Sequence, residues 1–298
     1  MNRKDLKIGS LFNYINFFTL KVYIILLLLL NLHLSALSQQ KTKNDTSVVY
    51  KKVGNASLTM KIINPQFVGD KRNYPCVIFF FGGGWIIGNP EQFRKHANHF
   101  AQEGLVCFLV DYRIRSRDGT TPFESLKDAK SAIRFVRENA DTFHVIKDSI
   151  IAAGGSAGGQ LAAAAALTDG YNESTDDLSV SAKPNALVLF NPVIDNGPGG
   201  YGFERIGSEY KNFSPLHNIH KGAPPTIIFL GTKDKLVPVE TAQYYKKVID
   251  KVGSRCDLVL YPEAGHGFFN KDEYLEKTLS EADQFLISLG YIKNEIPK

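Results

Sequence analysis

Little in this sequence points toward disulfide, metal or nucleic-acid chemistry. Only three cysteines occur in 298 residues, Cys76, Cys107 and Cys256, each inside an apolar run that reads as a strand. None stands in a CxxC or Cys/His spacing, so buried free thiols are expected. His96/His99 and His217/His220 are each three apart, but no carboxylate set accompanies either pair along the chain, and no metal or other cofactor is expected. The formal charge of +5 is weighted toward the N-terminus, where Arg3, Lys4, Lys7 and Lys21 face one acid, Asp5; without them the balance falls to +2. No basic run interleaved with aromatics remains, which argues against a nucleic-acid surface. Repeats and low-complexity tracts are also lacking.

What is present suits one large globular domain: 44% of residues are hydrophobic and 22% charged. The basic start is followed by an apolar run at 22–30, extended by Leu32, Leu34 and Leu37. Small residues Ala36 and Ser38 then precede Gln39 and Gln40. That order predicts a secretory signal over 1–38 and a catalytic domain over 39–298, hence a secreted or periplasmic protein with no membrane association after cleavage. An uncleaved anchor is the alternative, since the run is only slightly short of a span. No cysteine follows it, which argues against a lipoprotein anchor.

Residues 149–168, SIIAAGGSAGGQLAAAAALT, organise the rest. An apolar strand enters a Gly154-Gly155-Ser156-Ala157-Gly158-Gly159 turn, and an alanine-rich helix leaves it. This is Gly-x-Ser-x-Gly in a strand–turn–helix setting, which predicts a nucleophilic Ser156 at a helix N-terminus. A glycine turn whose serine only caps the helix is the plainer alternative. Around it, strands are expected at 46–53 and 57–63 (a hairpin), 75–81, 105–110, 186–190, 225–230 and 257–261. Helices are expected at 90–103, 121–140, 239–252 and 272–289. Thr121-Pro122-x-Glu124 opens the second of these. Strands alternating with helices predict an α/β fold: a mostly parallel sheet with helices on both faces and its site beyond the strands' carboxyl ends. The stretch 192–222 has no clear periodicity and reads as a lid or wall.

A serine hydroxyl needs a base, and the base needs an orienting acid. His266, in Glu263-Ala-Gly-His-Gly-Phe-Phe269, follows the last strand, and Asp234, in Gly231-Thr-Lys-Asp, follows the strand before it. Asp195 competes as the acid. Gly82-Gly83-Gly84 and the N–H of Ala157 can donate to an oxyanion. The 82–84 run has neither a GK[ST] ending nor a GxGxxG spacing, so a phosphate loop is not expected there. Trp85, Tyr112 and Phe268, with Phe269, are candidate walls of a substrate pocket.

Together FGGGW at 81–85, DYR at 111–113, GGSAGG at 154–159, GTKD at 231–234 and GHGF at 265–268 resemble an α/β-hydrolase of the carboxylesterase/acetyl-esterase type, near the hormone-sensitive-lipase-like group with its HGGG motif. The resemblance covers about 47–291. It implies Ser156 as nucleophile, His266 as base, Asp234 as orienting acid, and Gly83, Gly84 and Ala157 as oxyanion donors. Phe81 replaces the family's usual His, which puts the positioning of that loop in question. Few residues precede the first strand, so the family's N-terminal cap helices are expected to be missing, leaving 192–222 as a reduced cap. The resemblance implies a secreted esterase acting on short acyl esters, small-molecule or polysaccharide-borne. A prolyl-oligopeptidase-like peptidase and a non-catalytic binding module on this fold are the competing expectations.

Overall fold

The computed structural model describes residues 45–54, 56–65 and 73–293. The expected leader at 1–38 lies outside the described residues. Among those described, no helix is long and apolar enough to cross a membrane.

Eight strands among the described residues form one sheet in the order β1-β2-β4-β3-β5-β6-β7-β8. They are β1 (Asp45–Val53), β2 (Ala56–Ile63), β3 (Tyr74–Phe80), β4 (Val106–Val110), β5 (Val145–Gly155), β6 (Ala186–Phe190), β7 (Thr226–Gly231) and β8 (Cys256–Tyr261). The β1–β2 hairpin is antiparallel and β2 joins β4 antiparallel; every pair from β4 through β8 is parallel. Among the described residues the five longer helices are α1 (Arg94–Gln102), α2 (Pro122–Glu138), α3 (Ala157–Leu167), α4 (Val239–Lys251) and α5 (Asp272–Ser288). The mostly parallel α/β architecture expected from the sequence is the one observed.

Alternation along β3 sorts the core into two layers. Cys76, Ile78 and Phe80 join the layer containing Leu126, Ala129 and Ile133 of α2 and all the alanines of α3. Val77 and Phe79 join the other, with Phe100 of α1 and Phe285 of α5. Helix α3 is buried on every side, as its uniformly apolar sequence requires. The helix expected to open at Thr121-Pro122-x-Glu124 does so through a capping box, in which the Thr121 N–H donates to Glu124 Oε2 at 2.9 Å. The expected first helix splits instead, with a 3₁₀ turn at Pro90–Phe93 capped by Asn89 before α1. All three cysteines are buried and free.

Two features were not legible in the sequence. The first is an irregular stretch at 169–185, held by one face of α2. Lys130 donates to the carbonyls of Thr168 and Gly170, Arg134 pairs with Asp176, and Arg137 donates to Lys183 O. The second is a carboxylate set around one of the histidine pairs. His99 Nε2 lies 2.8 Å from Asp283 of α5, with Glu103 nearby, so the ring docks α1 on the C-terminal helix. Linear spacing hides this because Asp283 is 184 residues away.

His96 is the second histidine of that pair, and its surroundings are opposite in kind. It is 2% exposed, packs among Phe93, Phe190 and Phe269, and neither ring nitrogen has a partner among the described residues. Burial, aided by the nearby His99 and Lys95 charges, lowers its pKa from 6.5 to about 3. The unfolded chain therefore takes up a proton near pH 6.5 that the folded chain refuses until much lower pH. Stability present above that point drains away as pH falls, by about 2 kcal/mol at pH 5. Asp283 raises the pKa of His99, which works in the opposite sense and is common to wild type and variant. His96→Phe should flatten the loss of Tm between about pH 7.5 and 5. Parallel curves for the two proteins would refute this origin of acid sensitivity.

Candidate active site

Strand β5 ends in a turn that only glycine can build. A Cβ on Gly154 would sit 2.5 Å from the Gly158 carbonyl, on Gly155 2.4 Å from the Phe269 ring, and on Gly158 2.0 Å from Phe80 O. These close approaches let α3 start against the end of the sheet. Ser156 itself holds φ 52° and ψ −118°, a region that costs a non-glycine residue roughly 1–3 kcal/mol. Its N–H donates to Phe190 O at 2.9 Å and its carbonyl accepts from Gln160 N and Val193 N, so the strained residue is pinned from both sides.

The structure brings Ser156, His266 and Asp234 together. His266 Nε2 lies 2.8 Å from Ser156 Oγ, and His266 Nδ1 lies 2.8 Å from Asp234 Oδ2. The Asp234 side chain is fully buried while that of His266 is 21% exposed. Asp234 Oδ1 accepts from the N–H groups of Leu236 and Val237 at 2.8 and 2.9 Å. Both oxygens are thus committed, and the carboxylate cannot swing away from the ring. The loops carrying Asp234 and His266 are built on each other. Lys233 N donates to Ala264 O, Glu263 N to Thr232 Oγ1, and a Cβ on Gly231 would meet Ala264 O at 2.2 Å. Asp195 is engaged elsewhere: its Oδ1 accepts from Gly197 N at 2.8 Å and lies 3.8 Å from His217, within the 192–222 stretch.

Sequence reasoning missed Asn191. It follows β6 and is fully buried. Its Oδ1 accepts from Gly267 N at 3.0 Å, and its Nδ2 lies 3.5 Å from His266 Nε2. An asparagine just after a strand reads as an ordinary turn residue; its positive φ of 37° fits that reading as well.

The glycine loop lies against Ser156. A Cβ on Gly82 would stand 2.9 Å from Gly155 O and 3.3 Å from Ser156 Cβ. Gly82 N donates to Gln92 Oε1 at 2.6 Å, and Gly83 O accepts from Ile86 N and Ile87 N. The N–H groups of Gly83 and Gly84 donate to no group among the described residues, and Ala157 N is in the first turn of α3. Gly83 and Gly84 have φ of 132° and 66°, values that favour glycine.

Phe81 stacks on Tyr112, ring centroids 4.0 Å apart, and the Tyr112 hydroxyl donates to Phe81 O at 2.6 Å. Burial pushes the Tyr112 phenol well up, which keeps it a donor. Ring and hydroxyl thus seat the start of the loop at the position where Phe81 departs from HGGG. Arg113 ties the same region to α2 through a two-pronged contact with the buried Asp128, which Lys51 also meets at 2.7 Å.

The pocket expectation needs correcting. Tyr112 and Phe268 are 0% and 1% exposed. Tyr112 lies beneath the loop, and Phe268 packs among Tyr261 and Tyr274 on the other face of the sheet. Phe269 is core as well. Aromatics after strands serve cores as readily as clefts. Trp85 is buried too, under Tyr201, Phe213 and Arg205 of the 192–222 stretch, but unlike Tyr112 and Phe268 it lines a cavity, beside Gly84 and Arg115. Arg205 Nη1 donates to Gly84 O at 2.6 Å, which clamps that stretch to the glycine loop.

Residues 60–198 match the BD-FAE family and residues 180–289 the dienelactone hydrolase family. Among solved structures, esterase 2 of Thermogutta terrifontis superposes with a TM-score of 0.81 at 40% identity, over 86% of this chain and 98% of that one. Its structures include a form phosphorylated by paraoxon and forms with propionate or butyrate bound. Esterase LipC of Mycobacterium tuberculosis and an acetylxylan esterase of Xylanibacter ruminicola are each 28% identical, over 65% and 63% of this chain. The chain spans 53% of the first and 39% of the second.

The close packing at the turn makes a stability prediction. Gly158→Ala forces a methyl into backbone carbonyls and should cost about 3 kcal/mol or more. Gly170→Ala meets nothing within 4 Å and should stay within about 0.5 kcal/mol of wild type. Urea melts of both variants decide; equal midpoints would contradict the packing account.

Proposed function

The chain belongs to the esterases of the α/β-hydrolase family, and from that premise we propose that it hydrolyses short-chain carboxylic esters through a Ser156 acyl-enzyme. The observation that carries the reading is the continuous contact from Ser156 Oγ through His266 to the buried Asp234, 2.8 Å at each step. Ser156 Oγ attacks the ester carbonyl while His266 Nε2 takes its proton. Asp234 holds the proton on Nδ1 and offsets the charge that forms on the ring. The tetrahedral oxyanion lies against the N–H groups of Gly83, Gly84 and Ala157, donors fixed before charge develops. The ring returns the proton to the departing alkoxide, and water then releases the acid by the same path in reverse. Asn191 holds the base loop through Gly267 and keeps His266 facing the serine.

A short acyl preference is supported by the clamp of Arg205 and Tyr201 over the glycine loop, and by the propionate- and butyrate-bound forms of the Thermogutta relative. Polysaccharide-borne acetyl groups are a reasonable natural target, given the acetylxylan esterase relative. The basic and apolar N-terminal leader supports export.

Ser156→Ala should remain folded and lose roughly 10⁴–10⁶ of kcat. Asp234→Asn should lose roughly 10⁴, whereas Asp195→Asn should keep most of the rate. Assays on p-nitrophenyl butyrate check all three, and a larger loss in Asp195→Asn would reassign the acid. Once a pocket is full, extra methylenes cost about 1–3 kcal/mol. kcat/KM should therefore fall about tenfold or more from butyrate to decanoate esters, and a profile still rising at octanoate would contradict the small-acyl reading.

A further inference from the structure

Three arginines follow β4 at alternate positions, and two of them are neutralised. Arg113 meets Asp128 and Glu173; Arg117 meets Asp111 and Asp118. The side chain of Arg115, between them, has no hydrogen-bond or ion-pair partner among the described residues and lines a cavity of roughly 250 Å³. Gly84 and Trp85 form one wall of this cavity, Thr120 and the start of α2 another, and Arg205 a third. No carboxylate lines it among the described residues. Trp85 Nε1 and Thr120 Oγ1, in the same walls, are buried without partners.

Arg205 is held as a fixed receptor. Its guanidinium lies 5.3 Å from the Trp85 ring centre and 5.1 Å from that of Tyr201. Nη1 is spent on Gly84 O and Nε on Glu204, whose side chain is 70% exposed and so screened by water. Nη2 has no partner among the described residues. A planar guanidinium already fixed by stacking loses little freedom on binding a carboxylate, and Nη2 is left to donate to one. The cavity is smaller than a drug-sized pocket, so it suits one charged fragment of a larger molecule. It shares Gly84 with the proposed oxyanion donors and is therefore adjacent to the ester-cleaving centre.

We propose that this cavity, between Arg115 and Arg205, seats a carboxylate carried by the substrate, so that the enzyme favours esters bearing a negative charge near the scissile bond. The inference rests on the esterase reading above. Two matched pairs of esters test it at neutral pH. One pair places the charge on the alcohol side, para-acetoxybenzoate against its methyl ester; the other places it on the acyl side, mono-p-nitrophenyl adipate against p-nitrophenyl hexanoate.

In one pair the anionic member should have the higher kcat/KM, mainly through KM, by about tenfold or more, the worth of one charge-assisted hydrogen bond. Added salt should erode that ratio in the wild type. Arg115→Gln should bring it near unity, and Arg115→Lys should restore part of it. Hydrolysis of the neutral esters with both ratios near one, or a ratio untouched by salt and by Arg115→Gln, overturns the proposal. Failure to cleave any of the four esters overturns the esterase reading, and this proposal with it.

Discussion

The contact on which the rest depends is between backbones, at the crossing of β3, β5 and the start of α3. Phe80 O and Phe81 O lie where a side chain on Gly158 would be, and Gly155 O lies where one on Gly82 would be. Removing those side chains lets the glycine loop, the strained Ser156 and the helix N-terminus occupy one small volume. The strain at Ser156 is retained because its N–H and carbonyl are both committed, to Phe190, Gln160 and Val193. A looser turn would relax the serine and separate it from the donors beside it.

Around that crossing, the parallel sheet brings loops from distant parts of the chain to one end. Each is fixed by its neighbours more than by its own sequence. The His266 loop hangs on Asn191 after β6 and on Thr232 after β7. Asp234 is locked by the N–H groups of Leu236 and Val237. Tyr112 supports the glycine loop from below, and Arg205 grips it from the 192–222 stretch. A carboxylate fully removed from water would ordinarily be costly; here it has two backbone donors and a ring N–H, which is the condition for retaining it.

Much of this was legible because it rests on local rules. The strands of the sheet appear as apolar runs, α2 announces itself with Thr121-Pro122-x-Glu124, and the serine turn needs its glycines. The juxtaposition of Ser156, His266 and Asp234 followed from their places after successive strands. What remained hidden depends on tertiary partners. Asn191 looks like any turn residue, His99 finds Asp283 only after α5 folds back, and the 169–185 stretch is ordered by Lys130, Arg134 and Arg137. Tyr112 and Phe268 were misread because an aromatic after a strand can face a cleft or a core, and nothing local distinguishes the two. Phe81 shows the converse: its departure from HGGG put the loop in doubt, yet stacking on Tyr112 supplies a seat for it.

The central claim is that Ser156 becomes covalently acylated and that no other residue does. Intact-mass analysis after treatment with a fluorophosphonate, followed by peptide mapping, tests it most directly. The account predicts a single adduct per chain, on the peptide containing Gly154-Gly155-Ser156, with ester hydrolysis lost in proportion to labelling. An unlabelled protein that still cleaves esters, or an adduct on another residue that tracks the loss of activity, would contradict it.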